Sequence, residues 1–319
     1  MPYNSVSLDA SPSFDYSAMS APNSDVSTAL SNNWLVLVPD FEGPTGSFGA
    51  GVQAGHATLD SVRAVLSLSK DKTKKPLLGP ISRYAMWGYS GGSIATEWAA
   101  ELAIQYAPEL TFSGAAIGGV VPDVRFTDEP DSPFATINTS PYAGDVFAAL
   151  IGLVNQYPDA YAHLVNSLKT SGPYNRTGFL AVERMSIVEA FAHYAGHNIW
   201  DYFVQGKEVV NNPVIKRVIE RNGVMGYHGV PDMPLFVYQA VGDRFTPIRN
   251  TDELVARYCG IGARIEFQRN SVGGHLAEIT NGVGRAVAWL GKVLEGGGGL
   301  LEGCDVRTVA VNITDIPDF

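Results

Sequence analysis

The chain has 319 residues, of which 45% are hydrophobic and 17% charged, with 34 glycines and a formal net charge of -10. That length holds one large α/β domain with an insertion or two ordinary domains, with a sizeable core either way. The acidic balance leaves no lysine and arginine surplus to neutralise phosphates, which excludes a nucleic-acid partner, and no run of about 18 apolar residues suggests a transmembrane segment.

Residues 1–28 are rich in Ser, Pro, Asn and Asp and read as a loop with one short helix near Ala18. The first twenty carry neither a basic n-region nor an apolar h-region, so this chain shows no signal peptide; it is cytosolic or that segment is missing. Residues 34–39, Trp-Leu-Val-Leu-Val-Pro, form a continuous apolar run of the kind that makes a strand buried on both faces of a parallel sheet. A glycine-rich loop, Asp40 to Gly49, follows at that strand's carboxyl end. A helix is predicted over 54–67, and the basic cluster from Lys70 to Lys75 reads as a solvated loop.

Residues 83–106 organise the rest. Tyr84 to Trp87 are bulky and β-prone, Gly88-Tyr89-Ser90-Gly91-Gly92 sets three glycines around one serine, and 93–106 repeat apolar residues at helical spacing before Pro108. Gly-x-Ser-x-Gly between strand and helix is a nucleophile elbow: the turn strains Ser90, and side chains at Gly88 and Gly92 would collide with neighbouring backbone. The hydroxyl then projects at the carboxyl end of the strand, faced by the free N–H groups and positive end of the helix. A free serine is a weak nucleophile, so a base is required elsewhere.

Residues 110–121 make the next strand, and the strand–helix alternation argues a doubly wound parallel sheet. The rhythm breaks over 122–230, where helices are predicted at 146–157, 160–169, 182–195 and 212–222. This block is an insertion over one edge of the sheet, the alternative being an independent helical domain; insertions at the carboxyl edge commonly form lids. The organisation is therefore 1–121 and 231–319 as two parts of one core, with 122–230 as a helical cap. After the cap, 234–241 is a strand, and a helix runs to Tyr258 with Thr246 capping it and Pro247 in its first turn. Residues 263–269 are the last clear strand, 276–294 a final amphipathic helix and 306–311 an extended tail.

Of the six histidines only His275, in Gly273-Gly274-His275, directly follows a strand, and so lands at the same edge as Ser90. An imidazole base needs a carboxylate to hold its tautomer, and Asp243 ends the preceding strand. The order Ser90, Asp243, His275 matches that of an α/β-hydrolase. The Gly91 N–H and the turn from Asp40 to Gly43 are the candidate oxyanion donors. Only two cysteines occur, Cys259 and Cys304, so at most one disulfide forms, and it would pin the tail to the domain. With the glycosylation sequons at Asn138, Asn175 and Asn312, this leans towards an oxidising compartment.

With these residues in hand, the chain resembles the fungal secretory lipase family. The likeness rests on Pro39-Asp40-Phe41-Glu42-Gly43, on Gly88-Tyr-Ser-Gly-Gly continued by Ala-Thr-x-Trp-Ala and Tyr106-Ala-Pro-Glu-Leu110, and on Gly-Gly-His275-Leu-x-Glu-Ile, within residues 8–305. It implies an α/β-hydrolase fold, a triad of Ser90, Asp243 and His275, and oxyanion N–H groups from Gly91 and Asp40. It further implies a cap over an acyl-binding tunnel, a Cys259–Cys304 disulfide and a secreted protein. Two departures stand out. Family members carry a leader and opening strands ahead of what is Tyr3 here, which raises the prospect of an incomplete gene or an exposed sheet edge. Ala10 also stands where a cysteine of a second disulfide is usual.

The expected function is that of a serine carboxylic-ester hydrolase acting on an acyl-ester or lipid substrate. A lipase touching lipid interfaces through its cap comes first, and a short-chain or specialised-metabolite esterase is the alternative. A non-catalytic hydrolase-like protein is the rival from another class. Phe147, Leu150, Ile151, Leu153 and Val154 form either a water-excluding acyl site or simply the core of the cap. The mechanism calls for no metal and no organic cofactor.

Overall fold

The structure, a computed structural model, describes residues 25–69, 82–129, 132–296 and 302–318. Within them, α1 (Asp25–Ser31) and α2 (Gly51–Ser69) precede β1 (Met86–Tyr89), α3 (Gly91–Tyr106) and β2 (Ala115–Gly118). The chain then runs through α4 (Pro133–Ile137), α5 (Gly144–Val154), α6 (Pro158–Ser167), α7 (Arg176–Leu180), α8 (Ile187–Tyr194) and α9 (Pro213–Asn222) before returning to strands. The last elements are β3 (Leu235–Ala240), α10 (Ile248–Gly260), β4 (Ile265–Asn270), α11 (His275–Glu295) and β5 (Cys304–Val309). The strands form one parallel sheet whose spatial order is their order along the chain.

Alternation along β2 and β3 assigns the two faces, because successive side chains point to opposite sides of a strand. Ala115, Ile117, Leu235 and Val237 share a core with Ile94, Ala95 and Trp98 of α3 and with Leu254, Val255 and Tyr258 of α10. Ala116, Phe236 and Tyr238 instead pack against Ala286, Trp289, Leu290 and Val293 of α11. Helices therefore cover both faces, and the central strands β2 and β3 are buried at every residue. The helix α2 can lie close on α3 because Gly55 lacks a side chain: a Cβ there would stand 2.8 Å from the Trp98 backbone.

Between β2 and β3, helices gather around their own core of Phe147, Phe179, Tyr194 and Tyr202, each no more than 2% exposed. The predicted helix over 182–195 is broken. A 3-10 turn (Ala181–Arg184) ends at extended Met185, and Ser186 then starts α8 with a capping box, its hydroxyl accepting from Glu189 N while the Glu189 carboxylate accepts from Ser186 N. The competing cap wins over helical periodicity.

Three further expectations are corrected. The run 34–39 is no strand: it has no ladder partner among the described residues, and Leu35 (66% exposed) through Val38 (37%) are open to solvent. Apolar composition signals a tendency to be buried but does not supply the neighbouring strand. Of 110–121 only Ala115–Gly118 pairs with both neighbours. The extended tail is a genuine fifth strand, β5, paired with β4 along its whole length. Cys259 of α10 and Cys304 at the start of β5 are joined in a disulfide. The short helix near Ala18 and the basic cluster Lys70 to Lys75 lie outside the described residues.

Candidate active site

Ser90 is the single residue between β1 and α3, and it sits at φ 53° and ψ -118°, a conformation strained for any residue with a side chain. Gly88 makes the turn possible: a Cβ there would stand 2.1 Å from Gly92 O and 2.4 Å from Thr96 Oγ1. Gly92 does not meet the same expectation, because a Cβ at that position would find nothing within 4 Å. The crowding falls on one side of the elbow only. Ser90 N donates to Gly118 O at 3.0 Å, anchoring the turn to the end of β2.

His275 opens α11 beyond the carboxyl end of β4, and its Nε2 lies 2.8 Å from Ser90 Oγ. On the other side of the ring, Nδ1 lies 2.7 Å from Asp243 Oδ2. A carboxylate only accepts, so the ring proton belongs on Nδ1 and Nε2 is left to accept the Ser90 hydroxyl. Both groups are buried, His275 at 3% exposure and Asp243 at 5%. Burial opposes a charge on His275, but the adjacent Asp243 carboxylate outweighs it, with Asp318 and Asp145 adding in the same direction. The imidazole is held above its ordinary value.

Asp243 is itself held by groups the sequence reading missed or misassigned. Thr246 N donates to Oδ1 at 2.8 Å and Thr246 Oγ1 to Oδ2 at 3.0 Å, while Gln239 Nε2 approaches Oδ2 at 3.3 Å. Thr246 therefore does not cap α10, whose N-cap is Pro247 with no side-chain bond. The spacing Asp-x-x-Thr is a local signature of such a turn and was open to recognition. Tyr89 OH donates to His275 O at 2.6 Å, and the Phe245 ring stacks on the imidazole at 4.9 Å.

A cavity of about 70 Å³ opens at Ser90 and Gly91, walled mainly by Phe48, Ile94, Val121, Phe134, Val146 and Phe245. Asp145 and Thr246 are the polar side chains that join Ser90 at its wall. Phe147, Leu150, Ile151, Leu153 and Val154 do not reach it: all five are at most 3% exposed and belong to the core between the helices that join β2 to β3. Helix α5 presents Val146 and Ala149 to the cavity instead.

The structure thus brings Ser90, Gly91, Asp243 and His275 together. Asp40 is not among the cavity walls, and its Oδ1 accepts from Gly43 N at 3.0 Å, which shapes the turn. Of the three sequons, Asn138 and Asn175 each use both ends of the side chain in hydrogen bonds, whereas Asn312 is exposed on the tail. Among the described residues no group of His, Cys, Asp or Glu is arranged to hold a metal ion, and no helix is long and apolar enough to cross a membrane.

Residues 13–299 match the secretory lipase family. The trichothecene C-3 esterase of Fusarium sporotrichioides is 43% identical over 98% of this chain and 69% of its own length. Lipase A of Arthroderma benhamiae is 32% identical over 90% of this chain and 58% of its own. Among solved structures, Candida antarctica lipase A in its closed state superposes with a TM-score of 0.76 at 25% identity, covering 91% of this chain and 65% of that one. The chain spans a little more than half to about two thirds of the length of these relatives. The fold is that of an α/β-hydrolase, the relatives are named esterases and lipases, and the chain belongs to the secretory lipase family.

Proposed function

We propose that the protein is a serine ester hydrolase that removes a short acyl group, as the small cavity beside Ser90 suggests; its Fusarium relative is named a trichothecene C-3 esterase. The observation that carries this reading is the hydrogen-bonded line from Asp243 through His275 to Ser90, ending in a small apolar cavity. His275 Nε2 takes the Ser90 proton as Oγ attacks the ester carbonyl, and Asp243 stabilises the imidazolium. The oxyanion is met by the Gly91 N–H and by a second N–H, for which Asp40 is the family-based assignment. Collapse expels the alcohol with the proton from His275, and water activated by the same imidazole releases the acid.

Two observations favour the short-chain reading over the lipase reading. At about 70 Å³ the cavity is well below the roughly 300–1,000 Å³ of pockets that enclose drug-sized ligands. The esterase is also more similar to this chain than Lipase A is, 43% against 32%. The helical block 122–230 acts as the cap that excludes water, and family membership supports secretion.

Ser90→Ala should abolish hydrolysis of p-nitrophenyl acetate and labelling by a fluorophosphonate. Rates should fall steeply from acetate to palmitate. Palmitate cleaved as fast as acetate would restore the lipase reading, and activity surviving Ser90→Ala would remove Ser90 as nucleophile.

A further inference from the structure

Gly274, the residue that caps α11, has no side chain to satisfy the first N–H groups of the helix that carries His275. That task falls to Asp318, 43 residues beyond His275 and only 8% exposed. Its Oδ2 accepts from His275 N at 2.9 Å and from Arg244 N at 3.2 Å, and its Oδ1 accepts from Leu276 N at 2.9 Å. One carboxylate therefore joins the first turn of α11 to the loop just after Asp243. The fit is close: a Cβ on Gly274 would stand 2.3 Å from Asp318 Oδ2.

The tail is led to this point by two buried asparagines. Asn270 accepts from Val311 N at 3.0 Å and donates to Val311 O at 2.9 Å. Asn281 accepts from Ile313 N at 2.7 Å and Thr314 N at 2.9 Å, and donates to Thr314 O at 2.9 Å. Both residues are at most 1% exposed, so the path of 311–314 is set by bonds to amides that water does not reach.

We propose that Asp318 is a positioning residue of the triad, its carboxylate clamping the Asp243–Arg244 loop to the first turn of α11 so that both contacts of the His275 ring are made at once. This inference rests on the serine-hydrolase reading above. A negative charge at the positive end of α11 and behind the imidazole also favours the protonated ring. The groups facing His275 are Ser90 and Tyr89 from the β1 side, Asp243 from the loop after β3, Asp145 from α5 and Asp318 from the tail. Since the base must be neutral to act, removing the Asp318 charge makes the ring easier to keep neutral, and the acid limb of activity moves to lower pH.

The test compares wild type with Asp318→Asn, Asp318→Ala and Asp318→Glu on p-nitrophenyl acetate, with Ser90→Ala as the control. Asp318→Asn keeps the shape and one acceptor. It should lower kcat several-fold with KM little changed and move the acid limb of kcat/KM down by on the order of half a pH unit. Asp318→Ala should lose at least about tenfold in kcat, as misplacement of catalytic groups does, and Asp318→Glu should keep the acid limb of the wild type. An acid limb unmoved in Asp318→Asn, or a loss confined to KM or to thermal stability, overturns the inference while leaving the triad intact. Activity in Ser90→Ala would instead overturn the reading on which it rests.

Discussion

At one edge of the sheet β5 pairs with β4 through six consecutive residues, is joined to α10 by the Cys259–Cys304 disulfide and leads into a tail tied to Asn270, Asn281 and the start of α11. At the other edge β1 pairs with β2 over only four residues, and the apolar run 34–39 lies exposed with no ladder partner among the described residues. Ser90 leaves the sparsely paired edge strand, whereas Asp318, which binds the first turn of α11, belongs to the well-fastened side. The difference teaches that apolar composition alone does not finish an edge. β5, with exposed positions along its length, is fastened by covalent and polar bonds, whereas the greasier 34–39 has no ladder partner among the described residues.

The largest effect should come from Gly88→Ala, which tests whether the short edge strand is slack everywhere. The added Cβ meets backbone at 2.1 Å, so the elbow has to move. Fluorophosphonate labelling of Ser90 should fall by at least about a hundredfold, since small displacements at a reacting centre are that expensive. Near-normal labelling would show that the elbow yields freely.

Next comes the disulfide. Closing a loop with a separation of 45 residues stabilises by about 4 kcal/mol on the chain-entropy account. The double variant Cys259→Ser with Cys304→Ser should show a lower urea midpoint, and activity should fall with it because the tail carries Asp318. A midpoint unchanged by the double variant would mean that the strand pairing and asparagine bonds hold the edge by themselves.

A smaller, pH-dependent effect concerns the core between the edges. Tyr258, beside Cys259 on α10, places its hydroxyl in hydrogen-bond contact with Glu97 and Glu101 of α3, and all three side chains are buried. Burial, with Glu101 adding to it, pushes the Glu97 carboxyl well above its ordinary value. A carboxyl raised on folding binds its proton more tightly in the native state. Its contribution to stability is complete at low pH and is lost as pH rises through the native value. Glu97→Gln keeps the neutral shape, so its melting temperature should fall less between pH 5 and pH 9 than that of the wild type. An equal fall in both proteins would place the titration elsewhere.

The smallest effect is expected at the exposed run. Leu35→Lys, at a position 66% exposed, should change stability by no more than about 0.5 kcal/mol while reducing self-association in light scattering. A loss of several kcal/mol would show that the run is covered in solution.

Much of the site was legible because its signals are local or ordinal. The three-glycine elbow announces Ser90, and a histidine and an aspartate each directly after a strand must reach the same edge of a parallel sheet. The chain order of these residues then leaves little choice. The partners of those residues were not legible. Thr246 looked like a helix cap because capping and carboxylate binding use the same hydroxyl, and only the placement of Asp243 decides between them. The five apolar residues of α5 could serve cavity or core, and the choice depends on which side of the helix meets Ser90.

By itself, the sequence determined the parallel α/β plan, the helical interruption between β2 and β3, and the placing of Ser90, Asp243 and His275 at one edge of the sheet. These follow from periodicity, turn chemistry and strand ends within a few residues of one another. Only the tertiary structure decided that 34–39 has no ladder partner among the described residues, that the tail becomes β5, and that Asp318 sits on the first turn of α11. Each of these is a contact between distant segments, set by which backbone groups remain to be satisfied once the sheet has formed, and no local pattern encodes that remainder.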